Sequence, residues 1–341
     1  MRALLLLATT GLVSLAQAQP LPDETYMHPA KLVAVDGARR LNLFCMGPKR
    51  VKGSPTVLFD SGLSTSMRSW RLVQGEIAKV TRACAYDRAG IGFSDPRGTG
   101  ESDARAIVAD LHALLASGEI KTPILYVGHS IAGLYGVLLA ATHPGDLAGA
   151  VLVDPSFADQ LFVMTAAAVA AGAPPQVGDA LLASLHAQVR HSRACAALPM
   201  PLPDDCLDVP KDLSPALTAA LKAQQSRPSY LLTDASENES FLPPGMSDKS
   251  PDQKELEAVA ASFGDKPLVV LSHGKAPVYP GLTPAQNAAI EKAWQDGHDR
   301  LATLSRRGSN TVVPDSAHNI QHDQPQAVID AVLKTVAALR R

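Results

Sequence analysis

Residues 125–136 read "LYVGHSIAGLYG", and the fold turns on how this stretch is understood. The run "PILYVGHS" is continuously apolar and short, which suits a buried strand, while "IAGLYGVLLAATHP" is apolar on nearly every side and long enough for a buried helix. Ser130 lies at the junction. Gly128-His129-Ser130-Ile131-Ala132 follows a G-x-S-x-G pattern except that Ala132 replaces the second glycine, with Gly133 one residue late. Two readings compete: a serine that caps the helix, or a nucleophile lifted above the strand ends by a sharp strand-to-helix turn. The strand–turn–helix context, with a histidine before the serine and small residues after it, favours the second.

Working outward, strand and helix signals alternate. "KLVAVDGARRLNLFCMG" reads as a hairpin turning at Asp36-Gly37, and "PTVLFDSG" and "RACAYDRAG" as short strands ending in Gly-rich loops. The segment "MRSWRLVQGEIAKV" between them has helical periodicity. "SDARAIVADLHALLASG" predicts a helix capped by Ser102 and stopped by Gly118. "LAGAVLVDPS" is a further buried strand. After Ser156 the alternation gives way to about a hundred residues of Ala-rich helical segments broken by proline clusters, until "KPLVVLSHG" (266–274) restores it. A helix from about Thr283 to Leu304, a strand "NTVVPD", the loop "SAHNIQHDQP" and a last helix complete the chain. Near-continuous apolar strands alternating with helices predict a mostly parallel sheet covered on both faces, interrupted by a helical insertion. The expected division is 1–18 leader, 19–155 first part of the core, 156–265 helical insertion and 266–341 second part of the core.

The leader follows from Arg2, the apolar run Ala3 to Leu15 and the small-x-small site Ala16-Gln17-Ala18, a pattern of export and cleavage after Ala18. An exported, periplasmic or secreted protein without integral membrane association is expected. The 31 basic and 33 acidic residues nearly balance, so no electrostatic footprint for nucleic acid is present. The four cysteines, Cys45, Cys84, Cys195 and Cys206, are an even count in an exported chain and make disulfides reasonable, with three pairings open. No C-x-x-C or H-E-x-x-H spacing occurs, so no metal site is expected.

A serine hydroxyl needs a base. His318 lies in a polar loop after a late strand, where it can reach back over the strand ends; His322 is its rival, and His129 should point away from its neighbour Ser130. The base needs a carboxylate to orient it. Asp154 ends the strand "AVLVD" on the same edge as Ser130, with capping of the Pro155-Ser156 turn as its plainer role. "VVLSHG" supplies no acid, only His273, and Asp296 and Asp299 fall within a helix. Two backbone N–H groups could receive an oxyanion, that of Ile131 at the helix start and that of Leu63 in "LFDSGLSTS", where Gly62 allows close approach.

Taken together, "FDSGLS", "YDRAGIGFSD", "VGHSIAG", "LVDPS" and "SAHNIQHDQP" resemble, in order, the motifs of the α/β-hydrolase superfamily, in its Ser-His-Asp esterase and lipase branch with a helical cap. The resemblance covers most of the chain outside the insertion, which would be the cap. It implies a bracing rather than catalytic role for Asp87, Arg88, Gly90 and Gly92. The chain departs from the family in lacking an acid after "VVLSHG", the commonest place for it; some members carry the acid after the preceding core strand, an arrangement that Asp154 matches. The resemblance also implies Cys45–Cys84 between neighbouring strands and Cys195–Cys206 in the cap.

A serine nucleophile, Ser130, with His318 and Asp154 implies acyl transfer to water from a small-molecule carboxylic ester, with no cofactor. Dehalogenases and epoxide hydrolases of this fold carry a carboxylate in place of Ser130. Amide or peptide cleavage and perhydrolase chemistry use the same groups and stay open, as does a catalytically silent binding role for the fold.

Overall fold

The computed structural model describes residues 18–49, 51–98 and 101–340; of the expected leader 1–18, all but Ala18 lies outside the described residues. Eight strands form one sheet: β1 (Lys31–Ala34), β2 (Arg40–Met46), β3 (Val57–Asp60), β4 (Ala83–Tyr86), β5 (Ile124–His129), β6 (Leu147–Val153), β7 (Leu268–His273) and β8 (Gly308–Val313). Their spatial order is β1-β2-β4-β3-β5-β6-β7-β8. β2 runs antiparallel to both neighbours, and every other pairing is parallel. The fully apolar segments occupy the middle: every residue of β3, β4 and β5 is buried, as parallel strands covered on both faces require. The polar segment "GSNTVV" takes the edge as β8.

Helices α1 (Gln74–Ala78), α2 (Ala104–Ala116) and α3 (Ile131–Thr142) come from the first half of the chain. Five more, α4 (Gln160–Ala170), α5 (Val177–Ala196), α6 (Pro215–Gln225), α7 (Pro228–Phe241) and α8 (Pro251–Glu257), form the helical insertion between β6 and β7. Then follow α9 (Pro284–Ala302), α10 (Ile320–Asp323) and α11 (Pro325–Leu339). One core layer packs Leu111 and Leu114 of α2 with Leu134 and Leu138 of α3, and the other packs Ile77 of α1 with Val328 and Val332 of α11. The all-round apolar pattern of α3 is explained: every residue from Ile131 to Ala140 is buried.

Two local expectations are corrected. The cap of α2 is Asp103, whose carboxylate accepts from the Ala106 N–H at 2.8 Å, and not Ser102. Ser102 stands one residue too early, and its N–H donates instead to Ser236 Oγ of the insertion at 2.9 Å. The segment expected as one helix over "MRSWRLVQGEIAKV" splits into a 3₁₀ turn, Met67–Trp70, and the short α1. Tertiary anchors outweigh its periodicity: Asp87 accepts from the Met67 N–H at 2.8 Å, and the buried Trp70 ring lies 4.9 Å from that of Phe59.

Both disulfides implied by the resemblance are present, Cys45–Cys84 across the β2–β4 pair and Cys195–Cys206 at the end of α5. No described helix is long and apolar enough to cross a membrane.

The insertion is fastened to the sheet by a buried charge cluster. Arg88, just past β4, donates to Asp60 at the end of β3 (2.9 Å) and to both oxygens of Glu237 on α7 (2.9 Å each). The Arg88 and Glu237 side chains are 3% and 1% exposed. Charges so far from water are tolerated only when each is paired, and removing one partner leaves the others uncompensated. Arg88→Met should therefore lose about 3–5 kcal/mol in denaturant unfolding, whereas Lys292→Ala, which breaks an exposed pair with Asp296, should lose under about 1 kcal/mol.

A second seam is sensitive to pH. Asp252 of α8 accepts from Ser240 Oγ at 2.5 Å and from the Ala104 N–H of α2 at 2.8 Å, while its other oxygen is buried without a partner. Burial pushes its carboxyl from 3.8 up to about 7. The folded chain then holds a proton that the unfolded chain releases, so this stability is present in acid and is lost as pH rises through about 4 to about 7. Between pH 5 and 7 the wild type should lose about 2 kcal/mol more than Asp252→Asn, which carries no titrating group there; urea melts at the two pH values measure the difference.

Candidate active site

Three non-glycine residues among those described have positive φ: Ser64 (56°), Ser130 (55°) and Asp154 (45°). All three follow the carboxyl ends of strands, and Ser130 lines a cavity there, where backbone strain is held in place by surrounding structure. At Ser130 that structure is a set of three backbone bonds. Its N–H donates to the Val153 carbonyl at 3.1 Å, and its carbonyl accepts from Gly133 at 2.9 Å and Ser156 at 2.8 Å. Its hydroxyl makes no helix-capping bond. The capping role is excluded.

The hydroxyl faces His318 instead, with Nε2 3.0 Å from Ser130 Oγ. Nδ1 of the same ring lies 2.6 Å from Asp154 Oδ2. The structure thus brings together all three residues that the sequence proposes as nucleophile, base and acid. Asp154 has no exposed surface and does not cap the following turn. Besides His318 it receives His273 Nδ1 on Oδ2 at 2.7 Å, and on Oδ1 the His273 backbone N–H at 2.9 Å and Trp294 Nε1–H at 3.2 Å. Burial alone would raise its carboxyl, but hydrogen bonds from His273 and His318 outweigh burial and hold it well below the ordinary carboxylate range.

The unusual elbow now has a reason. A side chain on Gly133 would put its Cβ 2.2 Å from that of Pro155, so the crowding that demands glycine falls at 133 and not at 132. Ala132 is buried in the core, and its carbonyl accepts from Tyr126 Oη at 2.7 Å.

His129 does not point away as expected. Its ring lies 4.8 Å from that of His318, and its Nε2 donates to the His318 carbonyl at 3.0 Å. Burial pushes it down to about 3 and keeps it neutral. It supports the His318 loop from beneath, and it also explains Gly62, where a Cβ would sit 2.8 Å from His129 Nδ1. The rival His322 is elsewhere, its Nε2 3.0 Å from the Ser69 carbonyl and 3.0 Å from Arg71 Nη1.

Leu63 and Ile131 line the same cavity as Ser130 and His318. The Ile131 N–H opens α3 and so has no intrahelical acceptor. Arg88 sets the other amide. Its Nη1 and Nη2 donate to the Ser61 and Gly62 carbonyls at 2.6 and 2.7 Å. In a planar trans peptide the Gly62 carbonyl turned toward Arg88 turns the Leu63 N–H the opposite way. The insertion helps hold this loop: Glu237 accepts from the Ser64 N–H at 3.1 Å, Tyr230 Oη donates to the Ser64 carbonyl at 2.7 Å, and Ser64 Oγ donates to Asp234. Arg88 braces the site, as expected. Asp87 braces the adjoining loop, accepting from Asn42 Nδ2 at 2.9 Å and the Phe93 N–H at 3.1 Å.

The sequence places helix α9 but not the part its side chains play at the site. Glu291, Trp294, Gln295 and His298 stand at i, i+3, i+4 and i+7, one face of a helix, and that face closes the far side of Asp154. The spacing was visible; its target was not. His273, noted only as a missing acid, bridges Asp154 and Glu291, with Nε2 3.0 Å from Glu291 Oε2. Asp154, His273 and His318 also resemble a metal-ligand set. Their N–O separations of 2.6 and 2.7 Å are nonetheless those of hydrogen bonds, shorter than the about 3.3 Å between ligands of a tetrahedral zinc.

A cavity of about 550 Å³ opens over Ser130, walled largely by apolar side chains of the insertion and α9, among them Leu161, Met164, Leu185, Phe241 and Ile290. Lys275, Asn287 and Glu291 are among its polar lining residues.

Comparison with known proteins agrees with this architecture. The protein YqjL of Bacillus subtilis, itself uncharacterized, is 24% identical over 283 residues, 81% of this chain and 82% of its own length. A putative epoxide hydrolase from Pseudomonas aeruginosa superposes with a TM-score of 0.57 at 16% identity, covering 91% of this chain and 95% of that one. Est816, an N-acyl homoserine lactone degrading enzyme, superposes with a TM-score of 0.53 at 18% identity, covering 89% and 99%. At such identities the likeness is one of fold. Residues 57–331 match the family described as "Alpha/beta hydrolase family", and the chain, which has that family's fold as well, belongs to it.

Proposed function

We propose that this protein is an exported serine hydrolase of carboxylic esters that works through an acyl-enzyme. The observation that carries the reading is the continuous path from Ser130 Oγ to His318 Nε2 (3.0 Å) and from His318 Nδ1 to Asp154 (2.6 Å), at the floor of a largely apolar cavity. Ser130 attacks the ester carbonyl as His318 takes its proton. Asp154 holds the ring in the tautomer whose Nε2 is free to accept, and stabilises the imidazolium that forms. The carbonyl oxygen, now an anion, is received by the N–H groups of Ile131 and Leu63. His318 returns its proton to the leaving alcohol, and water activated by the same ring releases the acid. Two disulfides and the Ala16-Gln17-Ala18 leader pattern support export.

Ester is favoured over the acyl-transfer alternatives by the cavity: its walls are mostly apolar and suit an apolar acyl or alkyl group. Epoxide opening and dehalogenation need a carboxylate where this chain has Ser130.

On aryl esters of graded acyl length, wild type should turn over substrates and kcat/KM should rise with chain length until the cavity is full. Ser130→Ala should lose about 10⁴–10⁶ in kcat while remaining folded by circular dichroism. Equal activity of Ser130→Ala, or no turnover of any ester by folded, disulfide-bonded wild type, overturns the proposal.

A further inference from the structure

The His273–Glu291 pair lies beside the proposed triad, at the wall of the same cavity, and has no part in the mechanism above. Its geometry is restrictive. His273 Nδ1 meets Asp154 Oδ2 at 2.7 Å and its Nε2 meets Glu291 Oε2 at 3.0 Å. Glu291 is itself an acceptor on its other oxygen, from Gln295 Nε2 at 2.7 Å. A ring with a carboxylate oxygen at each nitrogen must donate from both, which a neutral imidazole cannot do. The Gln295 amide also donates to the His273 carbonyl at 2.9 Å, so one side chain fixes both Glu291 and the backbone that carries the ring.

We propose that His273 is a positioning residue: a permanent imidazolium clamped between Asp154 and Glu291 that sets how much negative charge His318 meets on Asp154. The inference rests on the esterase reading for its kinetic consequence, though not for the charge on His273. A buried carboxylate alone would be either protonated or a strongly attracting anion. Here Asp154 shares Oδ2 between two rings, one of them cationic, and Glu291 returns a negative charge on the far side, so the three groups together carry a single negative charge. The arrangement keeps Asp154 ionised while tempering its pull on the His318 proton, which must leave again in the second half of each acyl transfer.

The charged or titratable groups around His273 are accounted for. Asp154 faces it from the end of β6, His318 from the loop after β8, and Glu291 and His298 from α9; Lys275, two residues on, lines the same cavity. Burial of His298 lowers it, so it stays neutral. Burial would also lower His273, but its bonds to Asp154 and Glu291 outweigh burial and lift it to about 9.

Two measurements test the idea. In ¹⁵N-histidine-labelled wild type, NMR at pH 7.5 should show one ring protonated at both nitrogens, assigned by its absence in His273→Asn, and Glu291→Gln should bring its titration down toward neutral or below. A singly protonated His273 at that pH overturns the proposal. In kinetics, His273→Asn keeps a donor toward Asp154 but removes the cation. The acid limb of its kcat/KM profile should therefore move up by on the order of one pH unit, whatever the height of the plateau. An unmoved or lowered limb in a variant of unchanged Tm also overturns it. Absence of ester turnover by wild type would count against the esterase reading alone, because the NMR result decides the state of His273 without it.

Discussion

Asp154 is a carboxylate with no exposed surface at the end of a central strand, and the site is arranged around the need to satisfy it. Four donors do so: two from His273, one from Trp294 and one from His318. They come from the end of β7, from α9 and from the loop after β8, so a single buried charge draws three segments, distant in the chain, to one point. A carboxylate left without these partners in such surroundings would take up a proton, and a protonated Asp154 could no longer stabilise an imidazolium at His318. The positive φ at residue 154 is the local cost of aiming its side chain at that meeting place.

Arg88 does for the opposite wall what Asp154 does for its own. Its guanidinium spends its donors on Asp60, the Ser61 and Gly62 carbonyls and Glu237. The strand ends, the loop carrying Leu63 and the inserted helix α7 are thereby one electrostatic unit. The planar five-donor fork makes this possible; a lysine in the same place could not reach all of these acceptors. Orientation of the Leu63 amide therefore depends on the insertion as well as on the core, since Glu237, Tyr230 and Asp234 all hold the adjoining Ser64. A helical insertion is often regarded as a cover that selects substrates. In this molecule it is also part of the support for the groups beneath it.

Much of this was legible in the chain. The strands, the insertion and the positions of Ser130, Asp154 and His318 follow from apolar periodicity, turn residues and the order of short motifs, because those signals are local. The failures were contextual. Ser102 and Asp103 are both good caps, and only the contact between Ser102 and Ser236 decides between them. Ala132 looked anomalous because glycine was expected by pattern, yet the demand for a small residue comes from Pro155 and falls on Gly133. The contact of His129 with the His318 loop is not legible because an extended segment says which face a side chain takes, not what a returning loop will lay over that face.

The sequence by itself determined the doubly covered sheet and the three polar residues placed at its carboxyl edge, since hydrophobic period and strand ends are properties of neighbouring residues. Only the tertiary structure decided which groups surround those three. Glu291 and Trp294 lie well over a hundred residues from Asp154, and His273 stands in the sequence only where an acid would be looked for. Their roles arise from a buried charge that must find its donors wherever folding brings them, and that need leaves no periodic trace in the chain.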